Sequence, residues 1–168
     1  MLTDTSEGRL LLNEAAYAIV CQEAPDELPL FVSLRDRYFA DPESFGRTRH
    51  RDEALGFGNA MALQTLTQVL FPLLAPMLLY IVTQAAEALQ DEGGKRAAEW
   101  VRSWFRASSD APEAQAGLEP LFTQAQLNLI RLEIAQIAER EGGRLGVGRH
   151  RILRLQDALL ARLALVTA

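Results

Sequence analysis

At 168 residues the chain is long enough for one domain with its own core, or for a small domain and a membrane segment. Hydrophobic residues make up 49% of it and charged residues 23%, which excludes a chain that is disordered throughout. The net charge of −5 argues against a protein whose whole surface binds nucleic acid. The single cysteine, Cys21, excludes an internal disulfide, and its position after Ile19 and Val20 predicts a small buried thiol rather than a nucleophile.

The N-terminal part of the chain predicts two helices followed by a polar loop. Asp4 is expected to cap the first helix, which ends before Pro25 because a residue preceding proline is pushed out of the helical region. Asp26 is expected to cap the second helix, which ends before Pro42. The composition then becomes polar and rich in arginine, so residues 43–53 are predicted to form a loop.

Residues 54–86 form an uncharged, strongly apolar stretch, which is the most informative feature of the sequence. Its centre, residues 69–82, is nearly unbroken, and a helix that crosses a bilayer needs about 20 mainly apolar residues. Pro72 and Pro76 each remove a helical hydrogen bond and are expected to kink this helix, which membrane helices tolerate better than soluble ones. The stretch must therefore lie either in a membrane or in a deeply buried core.

The segment after the apolar stretch combines tryptophan with basic residues. Trp100 and Trp104 are four residues apart and therefore share one face of a helix, with Phe105 beside them and arginines nearby. This combination suits a helix that lies in the headgroup region of a membrane, and it also suits a core or subunit contact. Residues 107–122 are rich in Ala, Ser, Asp, Pro and Glu and are predicted to form a linker.

Two further helices are predicted in residues 123–168. Thr123 and Gln126 form a capping box that opens the first of them, and the pair Gly142 and Gly143 is expected to end it. Apolar residues recur at helical spacing in both segments, so the two helices are expected to pack as a hairpin.

No stretch alternates between polar and apolar residues with the period of a strand. The sequence therefore predicts an all-α fold of about six helices around a long, Pro-kinked apolar central helix, with a C-terminal helical hairpin. The predicted organisation is an N-terminal helical pair with a polar loop (1–53), the central helix with the Trp/Arg segment (54–106), a linker (107–122) and the hairpin (123–168).

No motif in the sequence specifies a reaction, so we expect a non-enzymatic protein without catalytic, cofactor-binding or metal-binding residues. His50 and His150 each stand between two arginines, whose positive charges repel a metal cation. Gly56 and Gly58 lack the third glycine of a dinucleotide-binding fingerprint and follow no predicted strand.

The first hypothesis for function is a small helical protein that associates with a membrane through residues 62–86 and assembles or binds a protein partner, as an anchor, effector or pore subunit does. The alternative is a soluble interaction module that oligomerises through the same apolar helix. In both cases the predicted interface residues are Leu70, Phe71, Leu74, Leu78, Ile81, Trp100, Trp104 and Phe105. No cofactor or small-molecule substrate is expected.

A weaker alternative is DNA binding by the C-terminal hairpin. Residues 123–168 contain seven arginines and four acids, and Arg149, His150 and Arg151 open the last helix, where they could contact an anionic partner. The turn before them is longer than that of a helix-turn-helix motif, which favours an ordinary hairpin.

The acidic N-terminus lacks the basic region and apolar core of a signal peptide. An intracellular location is expected, in the cytoplasm or at the inner face of the cytoplasmic membrane, and the Arg- and Ala-rich composition suggests a bacterial protein.

Overall fold

The structure, a computed structural model, describes residues 1–45, 65–106 and 121–167, and these ranges contain α-helices but no strand. The helices are α1 (Ser6–Glu23), α2 (Leu28–Ala40), α3 (Leu66–Leu89), α4 (Lys95–Arg106), α5 (Gln124–Leu145) and α6 (Arg149–Thr167). The prediction of an all-α protein is confirmed. Most of the predicted polar loop, the start of the apolar stretch and most of the predicted linker lie outside the described residues.

Helix α3 is the long apolar helix expected from the sequence, and it lies at the centre of the bundle. Thr65 opens it with a capping box to Gln68, and the helix then continues for 24 residues through Pro72 and Pro76. It packs against α1, α2, α4 and α5, which cover most of its circumference. A helix that is apolar on all sides is stable in this position because its neighbours remove its surface from water.

Four of the other helices form two pairs, α1 with α4 and α5 with α6. Helix α4 lies along α1, and α6 packs against both α5 and α4, so that the C-terminal hairpin closes the bundle. Gly94, at a φ of +65°, makes the turn that leads from α3 into α4. The expected hairpin of α5 and α6 is confirmed.

An aromatic cluster joins α2 to α3. The ring of Tyr38 stacks on that of Phe71 with centroids 5.3 Å apart, and Phe31 contacts Phe71 at 5.6 Å. Phe45 meets Tyr38 edge-on at 5.3 Å. Aromatic pairs of this geometry stabilise a fold beyond the burial of their apolar area. This cluster therefore holds α2 against α3.

The ends of the helices differ in part from the prediction. Thr5, not Asp4, caps α1, because the Thr5 hydroxyl accepts a hydrogen bond from the Gly8 amide at 3.0 Å. Asp26 does not cap α2 either, since it lies within a short 3₁₀ turn, Pro25–Glu27, that precedes the helix. The capping box of Thr123 on α5 is confirmed.

Helix α5 also runs further than predicted. It passes through Gly142 and Gly143 to Leu145, and the residue that ends it is Gly146, in the left-handed conformation at a φ of 65°. Gly142 is buried against Ile152 of α6, where a Cβ atom would lie only 2.2 Å from the Ile152 Cδ1 atom. This glycine therefore marks a close approach of two helices rather than the end of one.

Candidate functional site

The predicted interface residues on α3 all lie in the core of the protein. Leu70, Phe71, Leu74, Leu78 and Ile81 are each 0% exposed. The four helices that surround α3 cover them, so in the folded bundle they present no surface to lipid or to a second chain.

The predicted aromatic residues of α4 also face inward. Trp104 and Phe105 are buried, and Trp100 is half-buried with its ring packed edge-on against Trp104, 4.8 Å between centroids. Phe122 contacts Trp100 at 5.7 Å and is itself buried, so the last residue of the predicted linker belongs to the core. The Trp/Arg segment is therefore an amphipathic helix whose aromatic side packs on the protein.

Two arginines of α4 form ion pairs with a glutamate of α1. Arg102 donates hydrogen bonds from Nε and Nη2 to the two carboxylate oxygens of Glu14, at 3.1 and 2.6 Å. The Nε atom of Arg106 lies 3.4 Å from the Glu14 Oε2 atom. Burial raises the pKa of Glu14, but the hydrogen bonds and charges of Arg102 and then Arg106 outweigh this and hold the pKa below its ordinary value.

The basic triplet at 149–151 begins α6 as expected, but acidic residues lie close to it. The first two residues of the triplet are exposed, whereas Arg151 is half-buried and lines a small cavity of about 180 Å³ with Glu23, Glu27 and Arg154. Arg154 is paired with Glu23 at 2.6 Å. Glu23 therefore offsets part of the positive charge beside the triplet, while Arg149 and His150 remain exposed at the start of α6.

Helix α5 has an exposed apolar stripe that the sequence pattern does not predict, because its leucines have the same helical spacing as those of the core. Leu129 and Leu132 are 61% and 55% exposed, and Ala125 and Gln136 are exposed on the same side. The spacings of four, three and four residues are those of the contact positions of paired helices. We call Ala125, Leu129, Leu132 and Gln136 the α5 stripe. It is separate from the buried face of α5, which contains Leu127, Ile130, Ile134 and Ile137.

Cys21 lies on the surface, so the expectation of a buried thiol is wrong. Its neighbours Ile19 and Val20 are buried, but Cys21 lies four residues after Tyr17, which is 51% exposed, and it shares that side of α1. Together they line a groove between α1, α4 and α6.

Among the described residues, α3 is long and apolar enough to cross a membrane. Its most apolar window of 18 residues has a mean hydropathy of 1.8, and 67% of that window is buried inside the protein. Length and hydropathy alone are weak support for a membrane span, because the core helix of a soluble bundle has the same properties.

No group of three or more His, Cys, Asp or Glu side chains in the described ranges is arranged to hold a metal ion. No protein-family model matches the chain, and no curated protein and no solved structure is significantly similar to it.

Proposed function

We propose that this protein is a non-enzymatic helical interaction module that pairs with a second copy of itself through the α5 stripe. The observation that carries the proposal is the exposure of Leu129 and Leu132 at helix-pairing spacing on a helix whose other face is already buried. Burying a leucine side chain is favourable by about 1.5–3 kcal/mol, so two exposed leucines at the centre of one stripe favour association.

The charge distribution along α5 is the reason for choosing a second copy as the partner. The stripe itself is uncharged, and the residues beside its N-terminal half, Gln124, Gln126 and Asn128, are neutral and exposed. Two such helices packed antiparallel would bring Leu129 of one copy against Leu132 of the other. No like charges would face each other, and this matters because such a pair of charges costs on the order of several kcal/mol in an interface. A symmetric pair of this kind closes on itself and gives a dimer.

Sedimentation equilibrium at micromolar concentrations tests the proposal. The wild-type protein should sediment as a dimer. The double variant Leu129→Glu/Leu132→Glu should have a dissociation constant that is larger by about tenfold or more, with an unchanged helical circular dichroism spectrum. Leu153→Glu, which changes a leucine of α6 that is 41% exposed, is the matched control and should remain dimeric. A wild-type protein that stays monomeric throughout this range would contradict the proposal.

Membrane association through α3 is the second candidate, and the length and hydropathy of this helix favour it. It requires the residues that now pack against α1, α2, α4 and α5 to exchange these neighbours for lipid. Carbonate-resistant pelleting of the expressed protein would support insertion, and its recovery in the supernatant without detergent would contradict it.

A further inference from the structure

A groove of about 530 Å³ lies between α1, α4 and α6, on residues that the proposed dimer does not use. Its apolar wall includes Phe105 and Ala18, and its polar groups include Tyr17, Cys21 and the guanidinium of Arg162. A concave surface with an apolar wall and a few convergent polar groups is the usual form of a small-molecule site.

Arg162 is the group that points to a ligand. Its guanidinium is partly buried, and its hydrogen-bond acceptors are two neutral oxygens, the Trp104 carbonyl and Gln22 Oε1, each at the long distance of 3.4 Å. No carboxylate of the described residues forms an ion pair with it, whereas Arg102 has Glu14 and Arg154 has Glu23. Burial lowers the pKa of Arg162 below its ordinary value, because a cation removed from water without a counter-charge is disfavoured.

The surroundings of Arg162 favour an anion over a neutral ligand. Among the described residues that line the groove, Glu14 is the one acid, and it is paired with both Arg102 and Arg106. Two arginines against one carboxylate leave this edge of the groove with a net positive charge. The Tyr17 hydroxyl lies on the same wall of the groove and is a hydrogen-bond donor for an anion.

We propose that this groove binds a small organic anion, one that carries a phosphate or carboxylate group on an apolar body. The anionic group pairs with Arg162, whose planar fork of N–H donors matches the oxygens of either group. The apolar body lies against Phe105 and Ala18. Cys21 takes no part in binding by itself, but as the only cysteine of the chain it reports on occupancy of the groove.

Phenyl phosphate is the probe for direct binding, measured by calorimetry on the full chain. The wild-type protein should bind it with a stoichiometry of one per chain, and Arg162→Gln should weaken binding by roughly tenfold or more. Arg149→Gln, which removes an exposed arginine from the start of the same helix, should leave binding unchanged. Phenyltrimethylammonium, which has the same ring and the opposite charge, should not bind.

Thiol labelling of Cys21 provides an independent measurement that works even for weak binding. Phenyl phosphate should protect Cys21 from the dianionic disulfide dithiobis(nitrobenzoate) and from the neutral disulfide dithiodipyridine. Arg162→Gln should slow the reaction with the dianionic reagent severalfold and leave that with the neutral reagent unchanged, because it removes only the local charge. Equal rates in the two proteins with both reagents, or no protection at saturating phenyl phosphate, would overturn the proposal.

Two further outcomes are decisive. Inorganic phosphate that binds as tightly as phenyl phosphate would overturn the role of the apolar wall. If Arg162→Gln fails to fold, as judged by circular dichroism, Tyr17→Phe replaces it, since this variant removes a donor of the groove from a residue that is half exposed. Unchanged affinity in a folded Tyr17→Phe protein, with unchanged Cys21 protection, would then count against the assigned position of the anion.

Discussion

The carboxylate of Glu27 caps the N-terminus of α3 through Thr67. Its Oε2 atom accepts hydrogen bonds from both the backbone amide and the hydroxyl of Thr67, each at 2.7 Å, and its Oε1 atom accepts one from the Leu66 amide at 2.8 Å. A negative charge at this position satisfies amides that have no partner within the helix and interacts favourably with the helix dipole. The turn between α1 and α2 thereby fixes where the central helix begins.

Replacing Glu27 by Gln should therefore destabilise the protein. The variant keeps the shape of the side chain but loses the charge and one of two acceptor oxygens, and we expect the free energy of unfolding to fall by about 1–3 kcal/mol. Urea unfolding followed by circular dichroism measures this. The control is Glu92→Gln, an exposed residue after α3, which should change stability by less than about 0.5 kcal/mol. Equal effects of the two variants would show that Glu27 does not act as a cap.

The contact between Glu27 and Thr67 also shows where prediction from the sequence ends. The capping boxes at Thr123 and Thr65 are local patterns, and the first of them is predicted correctly from the chain alone. Glu27 and Thr67 are 40 residues apart, and no local pattern connects them. The existence of a long apolar helix follows from composition, but the position of its first turn depends on a tertiary contact.

The α5 stripe and the groove at Arg162 cannot be predicted from the sequence, because both depend on tertiary packing. Helix α5 carries two apolar series, one through Ile130 and Ile134 and one through Leu129 and Leu132, and both have helical spacing. Only packing decides that the first faces the core and the second faces solvent. Arg162 lies in a groove only because α6 packs against α4, and Arg162 and Trp104 are 58 residues apart, a tertiary contact that periodicity cannot predict.

Adjacent glycines in α5 give a matched pair of variants. Gly142→Ala should destabilise the protein by roughly 1 kcal/mol, because the new Cβ atom lies 2.2 Å from Ile152 Cδ1 and 2.7 Å from its Cγ1, and overpacking outweighs the gain in helix propensity. Gly143→Ala, with nothing within 4 Å of the new atom, should stabilise the protein by up to about 1 kcal/mol. Thermal unfolding of both variants measures the difference.

The steric origin of this difference can be tested directly. Ile152→Val shortens the side chain that Gly142 contacts, so it should recover part of the loss in the Gly142→Ala protein. In a double-mutant cycle the two changes should therefore show a favourable coupling. Additive effects, or stabilisation by Gly142→Ala alone, would contradict the close approach of α5 and α6.

Tyr38 should make the protein sensitive to alkaline pH. Burial raises the pKa of Tyr38 from 10.0 to about 12, which means that the folded state holds this proton more tightly than the unfolded state. The resulting stability is fully present below pH 10 and is lost as the pH rises from 10 to 12, at up to about 1.4 kcal/mol per pH unit.

Tyr38→Phe isolates this effect, because it keeps the ring that stacks on Phe71 and removes the ionisable group. At pH 7 its free energy of unfolding should lie within about 1 kcal/mol of that of the wild type. Between pH 10 and 12 the variant should lose less stability than the wild type, so its free energy of unfolding should rise relative to that of the wild type as the pH increases. Urea unfolding across this range measures both proteins, and parallel curves would show that Tyr38 titrates equally in the folded and unfolded states.

Leu78 and Leu79 distinguish a core helix from a membrane helix. In the folded bundle Leu78 is 0% exposed and Leu79 is 41% exposed. Leu78→Arg places an unpaired charge in the core and should prevent folding, at a cost above about 4 kcal/mol, whereas Leu79→Arg should cost less than about 1 kcal/mol. In a bilayer both positions lie near the middle of the helix, and each arginine would cost a similar amount, about 2.5–3.5 kcal/mol. Expression of the two variants with cell fractionation and circular dichroism therefore separates the two cases. A large difference between the adjacent positions indicates the protein core, and equal loss of carbonate-resistant material indicates the membrane, since lipid surrounds a helix on all sides and a bundle does not.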